Sequence, residues 1–432
     1  MATEIIREHE KFTTELHPNV RASNFVSYEG LLLNPEAGTF DQRYFIKWDK
    51  RNEGWQYYAS YIVGAQWIDA DNQKALVILP KEDFKDVDFF KMFSVCLNAG
   101  IESERFSKIY GIDINVPRIP APKLDGILSP LLIVHFISVV KNLIKTGLKH
   151  DYLEVENNLR KIKGRLLFLK NERINVIPKR TDRAYCRYQE HTADIPENRL
   201  IKKALLFSRQ VLSLMRSNSS MENVNQILSQ CLDAFQGVSE DITVAEVKCV
   251  RHNKLYKGYK DACEIAKMIL MKYDYSISRA SETPKTVPAF WIDMPLLFEL
   301  YVLGLLKSKY NNHVIYQFVG DMKEQPDFLL VTDNEKLILD TKYMYSVEGK
   351  IDIIRQLSGY ARSEKILGTL GAKKENGCYS EIIPCVLIYP TVEDNVAKNP
   401  FDSSHLLLDS QNCSAIDGYC KFYKFVVPLP QK

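Results

Sequence analysis

The stretch PDFLLVTDNEKLILDTKY, residues 326–343, decides the fold of the last third of the chain. It contains two short, mainly apolar segments, 326–332 and 336–343, which three polar residues at 333–335 separate. Apolar runs of this length on either side of a polar turn are typical of a β-hairpin. The sequence therefore predicts two neighbouring strands joined by a tight turn.

Three charged residues lie on this hairpin. Asp327 and Asp340 fall on adjacent strands, and Lys342 is two residues after Asp340, so Asp340 and Lys342 face the same side. Two such carboxylates offer the hard oxygen ligands that Mg²⁺ prefers, and Mn²⁺ suits the same ligands. A metal ion there polarises a phosphodiester, and a lysine beside it orients the attacking water. The alternative is ordinary turn chemistry at Pro326-Asp327 and a surface ion pair between Asp340 and Lys342.

The segments around the hairpin supply three further candidates. Glu299 lies in a predicted helix before the hairpin. Gln356 and Tyr360 are four residues apart in a predicted helix after it, so they share a helix face. The predicted elements are helices at 295–307 and 351–366 and strands at 314–319, 382–389 and 422–429. This order predicts a C-terminal α/β domain over residues 286–432.

The preceding part of the chain divides into two regions. Residues 1–122 show the alternating pattern of strands, most clearly between 55 and 80, and predict a mainly β N-terminal domain. A proline-rich segment at 115–123 predicts a linker, and residues 123–285 predict a largely helical middle region. Its predicted helices are 128–146, 196–214, 221–235 and 259–271. The expected fold class is a multidomain α+β protein, and 432 residues are enough for about two or three domains.

Positive charge is concentrated in the middle region. Residues 161–260 carry 19 Lys and Arg against 10 Asp and Glu, and residues 161–187 alone carry nine against two. A basic cluster attracts the phosphate backbone of nucleic acids, but it also occurs as a solvated surface or as a face matched to an acidic partner. The candidates for contact with DNA or a partner are Arg165, Lys179, Arg180, Arg183, Arg187 and Arg199.

Composition argues against several classes of protein. Nine scattered cysteines without a CxxC pair favour free thiols over a zinc ribbon or a disulfide framework. The most apolar segment, 127–140, has 14 residues, whereas a membrane span needs roughly 20, so we expect a buried helix and no membrane partner. The N-terminus lacks an apolar signal segment, so we expect a cytoplasmic protein. The sequence holds no GxxxxGK[ST] loop, so nucleotide hydrolysis would need a partner.

The hairpin residues resemble the motif of the PD-(D/E)xK nuclease superfamily, in the form PD followed by DTK. The resemblance implies a restriction-endonuclease-like fold for residues 286–432. It implies that Asp327, Asp340 and Glu299 bind the metal ion and that Lys342 positions the attacking water.

The helix after the hairpin carries a second resemblance. Gln356 and Tyr360 lie in IIRQLSGYA and resemble the Q-x-x-x-Y helix motif of RecB-like nucleases. This resemblance implies that both residues support the catalytic site and the DNA backbone.

Four other stretches resemble McrC proteins, in the same order along the chain. They are YIVGAQWID with ALVILPK at 61–81, GLKHDYLEVENNLRKIKGRLLF at 147–168, EHTADIPENRLIKKAL at 190–205 and MPLLFELYV at 294–302. The resemblance covers roughly residues 55–390 and is more specific than the nuclease motif alone. McrC proteins are the endonuclease subunits of modification-dependent or related restriction systems, which act against foreign DNA.

The resemblance to McrC proteins also implies partners. McrC proteins work with McrB, an AAA+ GTPase that forms a hexameric ring, and they cut DNA when translocation stalls. The implied partners are therefore DNA and an McrB-like GTPase hexamer, with GTP bound by that partner and not by this chain. Residues up to 81 and the basic stretch 161–187 are candidates for contact with the ring, and the basic stretch has the alternative of binding DNA only.

Two functions follow from these patterns. The first is a Mg²⁺-dependent DNA endonuclease that the GTPase partner licenses. The second is a regulatory scaffold that binds DNA without cutting it and stimulates the GTPase of the partner. The intact set of Asp327, Asp340 and Lys342 favours the first.

Overall fold

The computed structural model describes most of the chain. The described residues are 2–13, 45–51, 54–69, 74–98, 105, 108–113, 116–214, 219–246, 256, 258–278, 286–344, 351–392, 399–402 and 406–431.

The described chain contains runs of strands and runs of helices, as expected for a multidomain α+β protein. The strands are β1 (Ala2–Arg7), β2 (Lys11–Thr13), β3 (Ile46–Arg51), β4 (Gly54–Ala59), β5 (Ile62–Asp69), β6 (Lys74–Leu79), β7 (Tyr110–Asp113), β8 (Ile119–Pro120), β9 (Asp151–Leu159), β10 (Arg165–Leu166), β11 (Ala184–Thr192), β12 (Thr286–Val287), β13 (Ala289–Asp293), β14 (Val314–Tyr316), β15 (Phe328–Val331), β16 (Lys336–Thr341), β17 (Lys374–Glu375), β18 (Cys378–Tyr379), β19 (Cys385–Thr391), β20 (Cys413–Ala415) and β21 (Phe422–Pro428). The α-helices are α1 (Phe89–Asn98), α2 (Pro122–Thr146), α3 (Phe168–Asn171), α4 (Pro196–Leu214), α5 (Ser219–Ala234), α6 (Tyr259–Ser278), α7 (Met294–Tyr310), α8 (Ile351–Tyr360) and α9 (Glu364–Thr369).

The chain forms two compact units. The first unit combines Met1–His135 with Glu282–Lys432, and the second is Phe136–Ser281. The predicted ranges 1–122 and 286–432 thus belong to the same unit. Their assignment to separate domains stays a prediction.

The first unit contains a five-stranded sheet with the order β1-β6-β5-β13-β7. Only β1 and β6 are parallel, and the other neighbours are antiparallel. The apolar residues of these strands bury a core that includes Ile6, Ile62, Leu76, Ile78 and Trp291. Strands β4, β5 and β6 confirm the prediction for residues 55–80. Strand β13 comes from the C-terminal part of the chain, so this sheet joins both ends of the unit.

The second sheet of the first unit has six strands in the order β14-β15-β16-β19-β21-β20. Strands β14, β15 and β16 form an antiparallel meander, whereas β16, β19 and β21 are parallel. The predicted hairpin is therefore confirmed, with Phe328 opposite Leu339. Helices α8 and α9 cover one face through buried residues such as Leu357 and Ile366, which pack with Leu329 of β15.

Two predicted elements of the first unit differ from the structure. The helix predicted over 351–366 is two helices, α8 and α9, because the backbone at Ser363 is extended and starts a new helix there. The predicted linker at 115–123 contains strand β8, which pairs with β12, and the start of α2. Proline fits the first helical turn because its missing N–H is not needed there.

The second unit combines helices with a small sheet. Helix α4 spans the predicted residues 196–214, and α5 and α6 correspond to the next two predicted helices. The basic stretch 161–187, expected to be part of a largely helical region, contains strand β10, the start of β11 and, between them, helix α3 followed by a π-helical segment at Glu172–Val176. Both strands belong to a three-stranded antiparallel sheet with the order β10-β11-β9. Cross-strand pairs such as Arg187 opposite Glu156 match charges there, which a count of charges alone does not reveal.

The apolar segment 127–140 lies inside α2, where most of its side chains are buried. This confirms the predicted buried helix. Across the described ranges, the apolar stretches of the helices are all too short for a membrane crossing.

We expect Gly64→Ala to lower the free energy of unfolding by about 1–3 kcal/mol, the usual result of overpacking a core. A Cβ atom at Gly64 would lie 2.1 Å from the main-chain oxygen of Phe290 on β13, and main-chain atoms cannot move aside cheaply. Chemical or thermal unfolding of the two proteins measures the change. Gly359→Ala is the matched control, because its added Cβ meets nothing within 4 Å. Equal losses in both variants would contradict the prediction.

Candidate active site

The register of β15 and β16 brings the two predicted carboxylates together. Asp327 immediately precedes β15, and Asp340 lies on β16 next to the pair formed by Phe328 and Leu339. The Oδ2 atom of Asp327 accepts two hydrogen bonds from Thr341, one from the main-chain N–H and one from the hydroxyl, both at 2.6 Å. The hairpin thus fixes Asp327 against the strand that carries Asp340.

Asp340 is buried, with only 1 % of its surface exposed. Its Oδ2 atom lies 2.5 Å from Nζ of Lys342, which confirms that both side chains face the same side of the strand. Within the described residues, this ion pair with Lys342 is the contact shown for Oδ2. A buried carboxylate oxygen in this state has remaining capacity for another ligand.

Glu299 is held on α7 by two donors from the neighbouring strand region. Its Oε1 atom accepts hydrogen bonds from the Tyr316 hydroxyl at 2.8 Å and from Nε2 of Gln317 at 3.2 Å. Arg105 lies over the Tyr316 ring at 4.3 Å and donates to Oε1 of Gln317 at 3.3 Å. Tyr316, Gln317 and Arg105 were not predicted from the sequence. The sequence offered only the position of Tyr316 and Gln317 within the predicted strand 314–319.

Burial and mutual repulsion raise the pKa values of the acids. Burial, with added repulsion from Asp327, raises the pKa of Glu299 to about 8. Burial, again with repulsion from Asp327, raises the pKa of Asp340 to about 7, although Lys342 opposes the shift. Burial also raises the pKa of Asp327 despite its hydrogen bonds from Thr341.

Lys342 supplies the opposite charge at the site. Burial alone acts to lower the pKa of Lys342, but the carboxylates of Asp340 and Asp327 outweigh it and raise the pKa above its ordinary value. Lys342 thus faces the carboxyl groups of Asp340 and Asp327, which in turn repel that of Glu299. When these are ionised, the site has an excess of negative charge that a divalent cation neutralises.

The carboxylate oxygens of the site are suitable ligands for a magnesium ion. They are too few to surround the ion completely. Within the described residues, no three or more His, Cys, Asp or Glu side chains are grouped closely enough to hold a metal ion. Mg²⁺ usually binds through one or two carboxylates, and waters and substrate phosphates complete its octahedron. Asp340 and neighbouring Asp327 fit that requirement. Direct coordination by Glu299 stays a prediction.

The predicted pair on α8 lies beside these acids. Nε2 of Gln356 donates a hydrogen bond of 2.6 Å to the hydroxyl of Tyr360, so the two residues share a helix face. Tyr360 is buried, and burial, together with the charge of Asp340, raises the pKa of its hydroxyl. The structure therefore brings Asp327, Asp340, Lys342, Glu299, Tyr360 and Gln356 into one region of the first unit.

The sequence matches a family model described as McrBC 5-methylcytosine restriction system component, over residues 60–361. The chain belongs to the McrBC family. No curated protein matches it significantly.

Two solved structures of Thermococcus gammatolerans proteins are similar to this McrBC-family chain. One is a refined half-complex from a tetradecameric assembly of McrB AAA+ hexamers with bound McrC, at 16 % identity, with 99 % of this chain and 95 % of that chain covered and a TM-score of 0.36. The other is the McrBC complex studied by cryo-electron microscopy, at 16 % identity, with 71 % and 87 % covered and a TM-score of 0.33.

The basic candidates of this McrBC-family chain all lie in the second unit and fall into two groups. Arg187 contacts Glu154 and Glu156, and Arg199 donates two hydrogen bonds of 2.8 Å to Asp194, so both have acidic partners within the unit. The other four are exposed: Arg165, Lys179, Arg180 and Arg183. Arg183 lies 3.7 Å from Asp182, and for the other three the described structure shows no ion pair. The exposed group is the one available to a phosphate or a partner.

We expect Glu299→Gln to change how the stability of the protein depends on pH. The folded-state pKa of about 8 lies above the ordinary 4.5, so the folded protein holds this proton more tightly than the unfolded chain. The corresponding stabilisation is fully present below pH 4.5 and is lost as the pH rises through about 8. The glutamine keeps an oxygen for Tyr316 and Gln317 but carries no charge.

Thermal unfolding between pH 5 and about 8.5, with EDTA present, measures the difference. The midpoint of the wild type should fall more steeply with pH than that of Glu299→Gln. Glu375→Gln, at an exposed site on β17, is the control and should follow the wild type. Parallel curves for the wild type and Glu299→Gln would refute the prediction.

Proposed function

We propose that this chain is the DNA endonuclease subunit of an McrBC-type restriction system and acts in the cytoplasm under the control of an AAA+ GTPase partner. The observation that carries the proposal is the buried Asp340, paired with Lys342 and set beside Asp327, in a chain of the McrBC family. The resemblance of Asp327, Asp340 and Lys342 to the PD-(D/E)xK motif supports it.

Each site residue has a role in phosphodiester hydrolysis under this proposal. Asp327 and Asp340 would hold Mg²⁺, or Mn²⁺, which when bound polarises the phosphodiester and lowers the pKa of a water. Lys342 keeps its proton, because the carboxylates raise its pKa, and donates a hydrogen bond that orients the attacking oxygen. Glu299 exchanges a proton near neutral pH and assists at the same site.

The residues on α8 support this arrangement. The Nε2 atom of Gln356 donates a hydrogen bond to the Tyr360 hydroxyl. This bond fixes the orientation of the whole side-chain amide of Gln356, including its oxygen. Gln356 is exposed and Tyr360 is buried, so the pair links the DNA-accessible surface to the acids. We assign Tyr360 the role of supporting the acids and Gln356 the role of contacting the DNA backbone.

The partner surface lies in the second unit. Four apolar side chains between residues 168 and 177 are exposed by more than half: Phe168 (76 %), Leu169 (84 %), Val176 (58 %) and Ile177 (71 %). Exposed apolar residues in a cluster mark protein interaction sites, whereas DNA phosphates need only charge. We therefore assign residues 168–180 to the GTPase partner, which would bind GTP itself.

Internal hydrogen bonds fix the conformation of residues 168–180. Asn175 is buried and exchanges two hydrogen bonds with Asn158 of β9, at 2.9 and 2.8 Å. It also donates to Asn171, which in turn accepts the main-chain N–H of Tyr185 on β11. The apolar side chains are therefore presented on a fixed framework, which lowers the entropy lost on binding.

We expect Asp340→Ala to reduce metal-dependent DNA cleavage by about 10²-fold or more, because it removes a metal ligand and the partner of Lys342. The assay contains the chain, its GTPase partner, GTP, Mg²⁺ and methylated or unmethylated DNA. GTP hydrolysis by the complex should persist. Asp352→Ala, at an exposed acid on α8, is the matched control and should cleave normally.

Equal cleavage by Asp340→Ala and the wild type would remove Asp340 from the chemistry. Absence of cleavage with every DNA, but stimulated GTP hydrolysis, would support the non-cleaving regulatory subunit. The lack of a closed three-ligand metal group among the described residues is the observation that favours that alternative.

We expect Leu169→Ser to weaken binding of the GTPase partner by about tenfold or more, because a buried interface leucine contributes roughly 1.5–3 kcal/mol. Pull-down or calorimetry with the partner measures the affinity. Met322→Ser is the control, since Met322 is 92 % exposed but lies in the first unit. A normal affinity for Leu169→Ser would exclude residue 169 from the interface.

A further inference from the structure

A buried lysine connects the N-terminal sheet to the strand that carries the candidate catalytic residues. Lys81 lies two residues after β6 and is only 3 % exposed. Its Nζ atom donates a hydrogen bond of 3.3 Å to the main-chain oxygen of Tyr343. Because Tyr343 directly follows Lys342, this bond acts on the peptide next to the candidate catalytic lysine.

Aromatic rings surround the charge of Lys81. Its Nζ atom lies 4.1 Å from the ring centroid of Tyr343, 4.9 Å from that of Tyr61 and 5.4 Å from that of Phe84. Cation–π contacts at such distances stabilise a desolvated ammonium group. The rings come from three separate segments of the first unit, so Lys81 is the point at which these segments meet.

Glu8, just after β1, completes the arrangement and is also only 3 % exposed. Its Oε1 atom accepts one hydrogen bond from the main-chain N–H of Lys81 at 3.0 Å and one from the Tyr343 hydroxyl at 2.8 Å. Tyr343 is therefore held at both ends, by its carbonyl oxygen and by its hydroxyl. We call Glu8, Lys81 and Tyr343 the Lys81 cluster.

Stability alone does not account for these buried charges. Burial lowers the pKa of Lys81 and raises the pKa of Glu8 to about 7, which shows that both ionised forms are disfavoured there. Apolar side chains of similar size often give equal or greater stability at such a place. Unlike an apolar side chain, however, the ammonium group bonds in a defined direction to one carbonyl oxygen.

The Lys81 cluster also reaches the helix of Glu299. The ring of Tyr343 lies 6.2 Å from that of Phe298, the residue before Glu299. On the other side, the main-chain N–H of Lys342 donates to Ile388 of β19 at 2.8 Å. Lys342 is thus fixed by the sheet at its own amide and by the Lys81 cluster at the following residue.

We propose that Lys81 is a positioning residue for Lys342: with Glu8, it fixes Tyr343 so that the Lys342 side chain stays paired with Asp340 and directed at the attacking oxygen. This inference rests on the proposed nuclease function. In this proposal Lys81 acts on Lys342 through Tyr343, so its removal should affect the rate of the bound complex rather than binding of DNA.

The test compares Lys81→Met and Tyr343→Phe with the wild type, as full chains with the GTPase partner, GTP, Mg²⁺ and DNA. Lys81→Met keeps a long apolar side chain but loses the hydrogen bond to Tyr343. We expect kcat to fall about 10- to 100-fold, as for other supporting residues of metal sites, while KM for DNA stays within about twofold. Tyr343→Phe keeps the ring and loses only the bond to Glu8, so a smaller fall in kcat is expected.

Lys85→Met is the matched control. Lys85 is a nearby exposed lysine whose Nζ contacts Glu82 at 2.9 Å, and its loss should leave kcat unchanged. An unchanged kcat for Lys81→Met, in a wild type that cleaves DNA, would overturn the positioning role and leave the proposed function intact. If Lys81→Met does not fold, Tyr343→Phe decides in the same way.

A second measurement does not depend on activity. Hydrogen exchange of the free chain, followed by mass spectrometry, reports on residues 336–344. We expect faster exchange there in Lys81→Met than in Lys85→Met, with the thermal midpoint nearly unchanged. Unchanged exchange would overturn the inference, whereas a wild type that exchanges as expected but cleaves no DNA would count against the proposed function alone.

Discussion

The pairing of β15 with β16 in one register is the constraint on which the candidate site depends. Because Phe328 lies opposite Leu339, the sheet places Asp327 beside Asp340 whatever the two carboxylates would favour by themselves. Apolar residues such as Leu329 and Ile338, buried on both strands, offset the repulsion between them. The backbone therefore sets the separation of the charges, and Thr341 and Lys342 adjust to it. Charges that the fold holds in place in this way need no rearrangement when an opposite charge binds.

Features that depend on short-range pattern were predictable from the sequence. The hairpin, helix α4 and the pairing of Asp340 with Lys342 follow from periods of two or 3.6 residues and are confirmed. The contacts of Glu299 with Tyr316 and Gln317 were not predictable, because they join a helix to a strand and depend on tertiary packing. Similarly, a count of positive charges could not separate Arg187, which is paired across β9 and β11, from Arg165, which is exposed.

Buried charge is unevenly distributed in the first unit. Glu8 and Lys81 lie at one end of the path that leads through Tyr343 and Lys342 to Asp340. Hydrogen bonds and an ion pair, rather than solvent, stabilise these groups. Each group therefore restricts the position of the next. A hydrophobic core of the same volume would give cohesion but would leave the end of β16 free to shift by a fraction of an ångström, and catalytic groups tolerate little of that.

The strand order of the five-stranded sheet determines when this sheet can form during synthesis of the chain. Strand β13, which lies between β5 and β7, is contributed by residues 289–293, and the whole second unit precedes it in the sequence. During synthesis the N-terminal strands must therefore wait for more than half of the chain before their sheet is complete. The six-stranded sheet with the acids is completed later still, by β21. A ribosome-bound chain that still lacks β21 therefore holds Asp327 and Asp340 on an incomplete sheet.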